Sequence, residues 1–155
     1  MTKLNPTDTD LLQTEILQKI SNAKTKSEKA ELLKKFRSPA LVSLLIWNYD
    51  ESIESALPDG EVPYTPNDAP VGTEHTRLRN QFSVLYNFVK GGNDALAQSK
   101  RELLFIQLLE GLSAEEASLL CLVKDKKLQT KYKLTKNAIS EAYPDIKWGN
   151  RSQSN

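Results

Sequence analysis

The stretch from Ser99 to Lys127, SKRELLFIQLLEGLSAEEASLLCLVKDKK, constrains the fold more than any other part of the chain. It spells two helices and the turn between them. Ser99 with Glu102, and Ser113 with Glu116, have the spacing at which a hydroxyl caps the third amide of a helix and the carboxylate reaches back. Gly111 stands where the first helix needs a left-handed residue to stop. Leu112 and Ala117 are placed to staple the second start. A helical hairpin with a broad apolar surface has to bury that surface against further elements.

The rest of the chain supplies them. Asp8 or Thr9 caps a first helix to about Asn22, with Leu12, Ile16, Leu17 and Ile20 on one stripe. Thr25 and Glu28 open a second that ends near Phe36. Ser38-Pro39, a cap followed by proline at the first helical position, starts a third, from Ala40 to about Tyr49. Its LVSLLIWNY sequence is apolar nearly all round, which predicts a central buried helix. Thr73 opens a fourth, with Leu78, Phe82, Leu85 and Val89 in register and Gly91-Gly92 as its end. Thr135 caps a last helix from Lys136 to Tyr143, stopped by Pro144. The expectation is an all-α, compact single-domain bundle of about seven short helices over residues 1–148, with a flexible tail at 149–155. Its core draws on Leu41, Leu44, Leu45, Trp47, Phe82, Leu85, Val89, Leu104, Phe105, Leu108, Leu119, Leu120 and Val123.

One segment interrupts the helical pattern. Residues 50–72 hold Pro58, Pro63, Pro66 and Pro70, which exclude a regular helix, and Asp59-Gly60 reads as a turn. A loop this long is unusual in a compact domain. It is either an ordered strap held to the core by Val62 and Tyr64, or a partner-binding loop presenting Val62, Tyr64 and Asp68.

Charge is segregated along the chain although the formal total is only +1. Lys19 to Arg37 carries seven basic residues against Glu28 and Glu31; Asp50 to Glu74 carries seven acidic residues and no base; Lys124 to Lys136 carries six lysines against Asp125. The last segment suggests a nucleic-acid site. Lys124, Lys126, Lys127, Lys131, Lys133 and Lys136 would contact phosphates, and Tyr132 would stack on a base. The alternative is a solvated lysine-rich loop, paired with the acidic segment. Helix-turn-helix geometry fits poorly, because Leu128 to Thr135 is longer than that motif's turn.

Catalytic chemistry is not written here. One histidine, His75, and one cysteine, Cys121, cannot assemble a usual zinc set, and no nucleophile elbow or phosphate loop occurs. Cys121 lies between Leu120 and Leu122 and reads as a buried thiol; His75 reads as solvated. Glu115 and Glu116 suit the positive end of a helix and need no other role. No cofactor or metal is expected. There is no apolar run long enough to span a bilayer, MTKLNPTDTD lacks the apolar core of a signal peptide, and a lone cysteine is consistent with a reducing compartment.

Several pieces in order carry a resemblance: NAKTKSEKAELLKK, LPDGEVPYTPNDAP, LYNFVKGGNDALAQSKRELLFIQLLEGLSAEEASLLCLVKDKK and LTKNAISEAYPDI. Together they resemble an uncharacterised family of small proteins from T4-like tailed phages of marine and cyanobacterial hosts, over roughly residues 20 to 147. Asp145-Ile146-Lys147-Trp148 departs from the more apolar ending of that pattern. The resemblance brings no activity and no functional residues. It implies a phage gene product in the cytoplasm of an infected bacterial host. With no catalytic constellation in view, the expected function is non-catalytic: interaction with a phage or host protein, or nucleic-acid binding in phage replication or transcription, or a minor virion role. Oligomeric state is not legible.

Overall fold

A computed structural model describes residues 11–68 and 76–149. Among them the chain is all-α. Seven helices run in order: α1 (Gln13–Asn22), α2 (Lys26–Lys35), α3 (Pro39–Tyr49), α4 (Leu78–Gln81), α5 (Gln98–Gly111), α6 (Ala114–Lys124) and α7 (Lys136–Ala142). Two 3-10 segments, Phe82–Phe88 and Leu128–Thr130, complete them. Two isolated bridges, Ser55 to Val89 and Thr76 to Leu112, are the only sheet-like pairings among the described residues.

The centre is α3, which packs on α6, on α4 and on the first 3-10 segment. Leu41, Leu44, Leu45 and Trp47 are all buried, as its all-round apolar sequence predicts. Trp47 donates its indole N–H to Ser55 Oγ at 2.9 Å, so its polar tip is satisfied inside. Phe88 and Phe105 meet edge to face, 5.1 Å between centroids. Of the expected core, Phe82, Val89, Leu104 and Leu108 are half-buried and pack against it from outside.

The expected hydroxyl caps at Thr25, Ser38, Ser113 and Thr135 all form, with donor–acceptor distances of 3.1, 3.1, 3.2 and 3.2 Å. The box at Ser99 does not. Helix α5 starts two residues earlier, after Ala97, and the Glu102 carboxylate accepts from Gln98 Nε2 instead of reaching back to Ser99. Gly111 also departs from expectation. It is the last helical residue and is not left-handed; the helix stops as Leu112 N–H donates to the carbonyls of Leu108 and Leu109, and Thr76 N–H donates to Gly111 O at 2.8 Å. Helix α1 begins at Gln13, where the Glu15 carboxylate accepts from Leu12 N at 3.0 Å; the expected caps Asp8 and Thr9 lie outside the described residues.

The fourth helix is the largest correction. Thr73 lies outside the described residues, and α4 begins at Leu78 and lasts one turn before tightening to 3-10 geometry. The cause is competition for backbone groups. Ala56 N–H takes Phe88 O, Lys90 N–H takes Glu54 O, and Arg101 Nε takes Asn87 O at 2.8 Å. Val89 is drawn out straight to bridge Ser55. Gly91, at φ +86°, and Gly92 then reverse the chain. A Cβ at Gly92 would sit 2.0 Å from the Tyr86 carbonyl oxygen, so only glycine fits.

Candidate functional site

The two basic segments meet. The turn from α1 into α2 faces the loop between α6 and α7, and the contact is built from the backbone. Ser21 Oγ accepts from Lys133 N at 2.8 Å. Lys29 Nζ lies 2.5 Å from Lys133 O and 3.4 Å from the carbonyls of Ile20 and Ser21, so one ammonium group joins the end of α1 to the loop. Burial, and then the Lys133 charge, push the Lys29 ammonium pKa below its ordinary value.

The loop is held by side chains that point inward. Leu128, Tyr132 and Leu134 are buried, while Lys127 before them and Lys131 and Lys133 between them are exposed. Tyr49 Oη donates to Leu134 O at 2.7 Å, and Asn48 bonds both Leu128 N and Gln129 Oε1. Between this loop and the α1–α2 turn runs an open groove of about 950 Å³. Among the described residues, Lys24, Lys26, Lys29, Lys131 and Lys133 line it together with neutral residues, and no carboxylate does. Lys24, Lys26, Lys131 and Lys133 are exposed.

The lysines read from sequence as one cluster therefore divide. Lys131 and Lys133 enter the groove. Lys127 is exposed outside it, and Lys136 is half-buried with its ammonium 5.0 Å from the Trp148 ring centroid. Lys124 and Lys126 do other work. Lys124 is 1% exposed; its Nζ binds the carbonyls of Pro58 and Gly60 at 2.7 and 3.1 Å and pairs with Asp125. Lys126 Nζ binds the carbonyls of Asp50 and Ile53, closing the end of α3, and desolvation lowers its pKa while Asp50, Glu51 and Glu54 raise it. Tyr132 is 2% exposed, so its ring faces the core and not a base. Lys24, Lys26 and Lys29 are the groove residues that reading the Lys124–Lys136 run alone misses. The alternation Lys131-Tyr132-Lys133-Leu134, charge out and apolar in, was the available signal.

The acidic segment is an ordered strap as far as it is described. Val62 and Tyr64 pack against the core. The Tyr64 hydroxyl sits beside Ser118 and Cys121, and burial raises the pKa of both the phenol and the thiol. Thr65 N–H donates to Glu110 Oε2 at 2.8 Å, and Asn67 Nδ2 to Glu110 O at 3.3 Å. Asp68 is exposed. The expected pairing of lysines with this segment does occur, through its backbone carbonyls. His75 lies outside the described residues. Among the described residues no group of three His, Cys, Asp or Glu is placed to hold a metal, and no helix is long and apolar enough to cross a membrane.

The chain end is docked up to Gly149. Trp148 Nε1 donates to Ser140 Oγ at 2.9 Å, and Gly149 N–H donates to Asp50 Oδ2 at 3.0 Å. Arg37 forks onto Asp145 with two bonds of 2.8 and 2.6 Å, which holds the Asp145 carboxyl below its usual value. Asp145 and Trp148 thus make their own attachment, and the rest of the expected tail lies outside the described residues.

Glu116 does more than partner the Ser113 cap and meet the dipole of its own helix. It is 1% exposed, and its two carboxylate oxygens accept the backbone N–H groups of Gln13 at 2.9 Å and Leu78 at 3.1 Å. Those are the first residues of α1 and α4. One buried carboxylate thus caps two helix starts from two distant parts of the chain, where two positive dipole ends favour it.

No curated protein and no solved structure matches the chain. A family model does, over residues 16–130, from within α1 to the end of the second 3-10 segment; it takes in the α1–α2 wall of the groove and stops before Lys131 and Lys133 on the other. The chain belongs to that family, DUF6433, a family of unknown function.

Proposed function

We propose that this is a non-catalytic, phage-encoded protein of the infected bacterial cytoplasm that binds nucleic acid in the lysine-lined groove, as an accessory to phage replication or transcription. The observation that supports this reading is the convergence of Lys24, Lys26 and Lys29 with Lys131 and Lys133, about a hundred residues apart in sequence, on one groove that no carboxylate lines among the described residues. A net charge of +1 gives no long-range field, so the attraction is local to that groove. Phosphates entering it would release counterions, and binding would weaken steeply with salt.

The test is fluorescence anisotropy of a labelled oligonucleotide at rising salt, with wild type and with Lys131→Glu/Lys133→Glu. Both side chains are exposed, so the double variant should keep the wild-type unfolding curve and lose affinity by more than tenfold. Wild-type binding no stronger than to a neutral polymer, or binding untouched by the double reversal, overturns the proposal.

A second reading keeps a phage or host protein as partner. It is favoured by Tyr86 and Leu103, 52% and 49% exposed, the large apolar side chains left in solvent among the described residues. The strap gives it less support, because Val62 and Tyr64 face inward and Asp68 alone of the three is exposed. Detection of the protein in purified particles would favour the virion role over either.

A further inference from the structure

We infer that the groove takes a single strand by its phosphodiester backbone alone, with about four phosphates engaged and no base read. This rests on the nucleic-acid reading above and specifies its ligand.

The first argument is what the groove lacks. Sequence-tolerant single-strand sites combine a basic track with rings on which bases stack. Here the one aromatic residue in the lining, Tyr132, is 2% exposed, with the Lys131 ammonium 5.6 Å from its ring centroid. No open ring face remains for a base. The other lining groups include exposed neutral polar side chains, Asn22 and Thr135, which suit phosphate and sugar oxygens.

The second argument counts charges. Lys29 is committed to the carbonyls of Ile20, Ser21 and Lys133, and its role is to hold the two walls together. Lys24, Lys26, Lys131 and Lys133 remain, two on each wall, all exposed. The third argument is size. A concavity of about 950 Å³ is at the upper end of small-ligand sites, enough to admit a few linked nucleotides. A duplex presents its paired strands as one rigid cylinder and would rest on the rims without reaching the floor.

The experiment uses the full chain and four labelled probes of equal length: a mixed-sequence DNA strand, an RNA strand, a DNA strand of abasic sites, and a DNA duplex. The abasic strand should bind within about threefold of the two natural strands, and the duplex at least tenfold more weakly. The slope of log affinity against log salt should be near −3, since each strand phosphate contributes roughly 0.7. Lys26→Ala or Lys133→Ala should each reduce the slope by about 0.7. A natural strand that binds while the abasic strand loses tenfold or more would mean that bases are gripped. A duplex that binds as tightly as the strand would mean that the groove selects charge density, not strand form. Either result sinks this inference and leaves the nucleic-acid reading standing. Failure of all four probes removes both.

Discussion

Glu116 offers the sharpest test of how the bundle is held. Its carboxylate lies at the junction of α1, α4 and α6, and it supplies acceptors that neither Leu12 nor Arg77, the residues at the starts of α1 and α4, provides from its own side chain. Glu116→Ala would leave the N–H groups of Gln13 and Leu78 without an acceptor in a buried place. An orphaned buried donor costs about 1–3 kcal/mol, so the pair amounts to about 2–5 kcal/mol once the removed charge no longer has to be desolvated. Glu116→Gln keeps one acceptor and turns an NH2 group toward the other donor, which costs about 1–3 kcal/mol. Urea unfolding should show the midpoint falling in the order wild type, Gln, Ala with an unchanged slope. Hydrogen exchange should speed at the Gln13 and Leu78 amides in both variants before it does in α3. The titration adds an independent readout. Burial pushes the Glu116 carboxyl above its ordinary value of about 4.5, against the Gln13 and Leu78 bonds and the Arg77 charge, which pull it down. A raised folded pKa means that the folded state holds more protons than the unfolded chain just above that value. The stability of wild type relative to Glu116→Gln should therefore fall as pH rises from about 4.5 through the folded pKa. A loss below 0.5 kcal/mol in Glu116→Ala, with both amides still protected, would refute the two-helix clamp.

Other perturbations follow from the same contacts. Trp47→Ala removes a 2% exposed indole from the central helix and should cost on the order of 3–5 kcal/mol by denaturant unfolding; a change under 1 kcal/mol would show that α3 is not central. Lys124→Met keeps the buried stem and deletes the ammonium that holds Pro58 O and Gly60 O, so limited proteolysis should begin within residues 58–68, where wild type resists. Gly92→Ala forces a Cβ against the Tyr86 carbonyl and should destabilise by more than 2 kcal/mol. Gly60→Ala, at φ +94° with open space around its Cβ, should cost only about 1 kcal/mol; equal losses at the two glycines would mean that the close approach at Gly92 is relieved by movement.

The fold was legible where chemistry is local. Thr25, Ser38, Ser113 and Thr135 announce helix starts because a cap needs only a hydroxyl and an amide three residues away. The same reasoning fails at Ser99, where Glu102 is taken by Gln98, and at the fourth helix, where the strap and Arg101 claim the groups of Phe88, Lys90 and Asn87. The Gln98–Glu102 bond is local and outcompetes the box, whereas the bonds at the fourth helix join residues far apart in sequence, and no local pattern records them. Glu116 combines the two cases. Its own amide follows the local rule onto Ser113, while its carboxylate leaves that rule for Gln13, more than a hundred residues back.

The lysines make the same point about function. Counted along the chain, Lys124, Lys126, Lys131 and Lys133 are equivalent charges. In the fold each one's role is decided by which backbone carbonyls are near. Lys124 and Lys126, at and just past the end of α6, are turned against carbonyls of residues 50–60, so their charge closes the strap and the end of α3. Lys131 and Lys133 alternate with Tyr132 and Leu134, whose burial turns the intervening ammonium groups outward. The groove then acquires Lys24 and Lys26 because Lys29 and Ser21 bring the α1–α2 turn against that loop. A lysine count cannot separate a staple from a ligand-facing charge; the separation depends on whether the carbonyls of a proline-rich segment lie within reach. Charge removal should therefore have opposite signatures at the two kinds of site. At Lys124 it should lower stability and open the strap with the groove's salt slope unchanged, and at Lys133 it should lower the slope with stability unchanged.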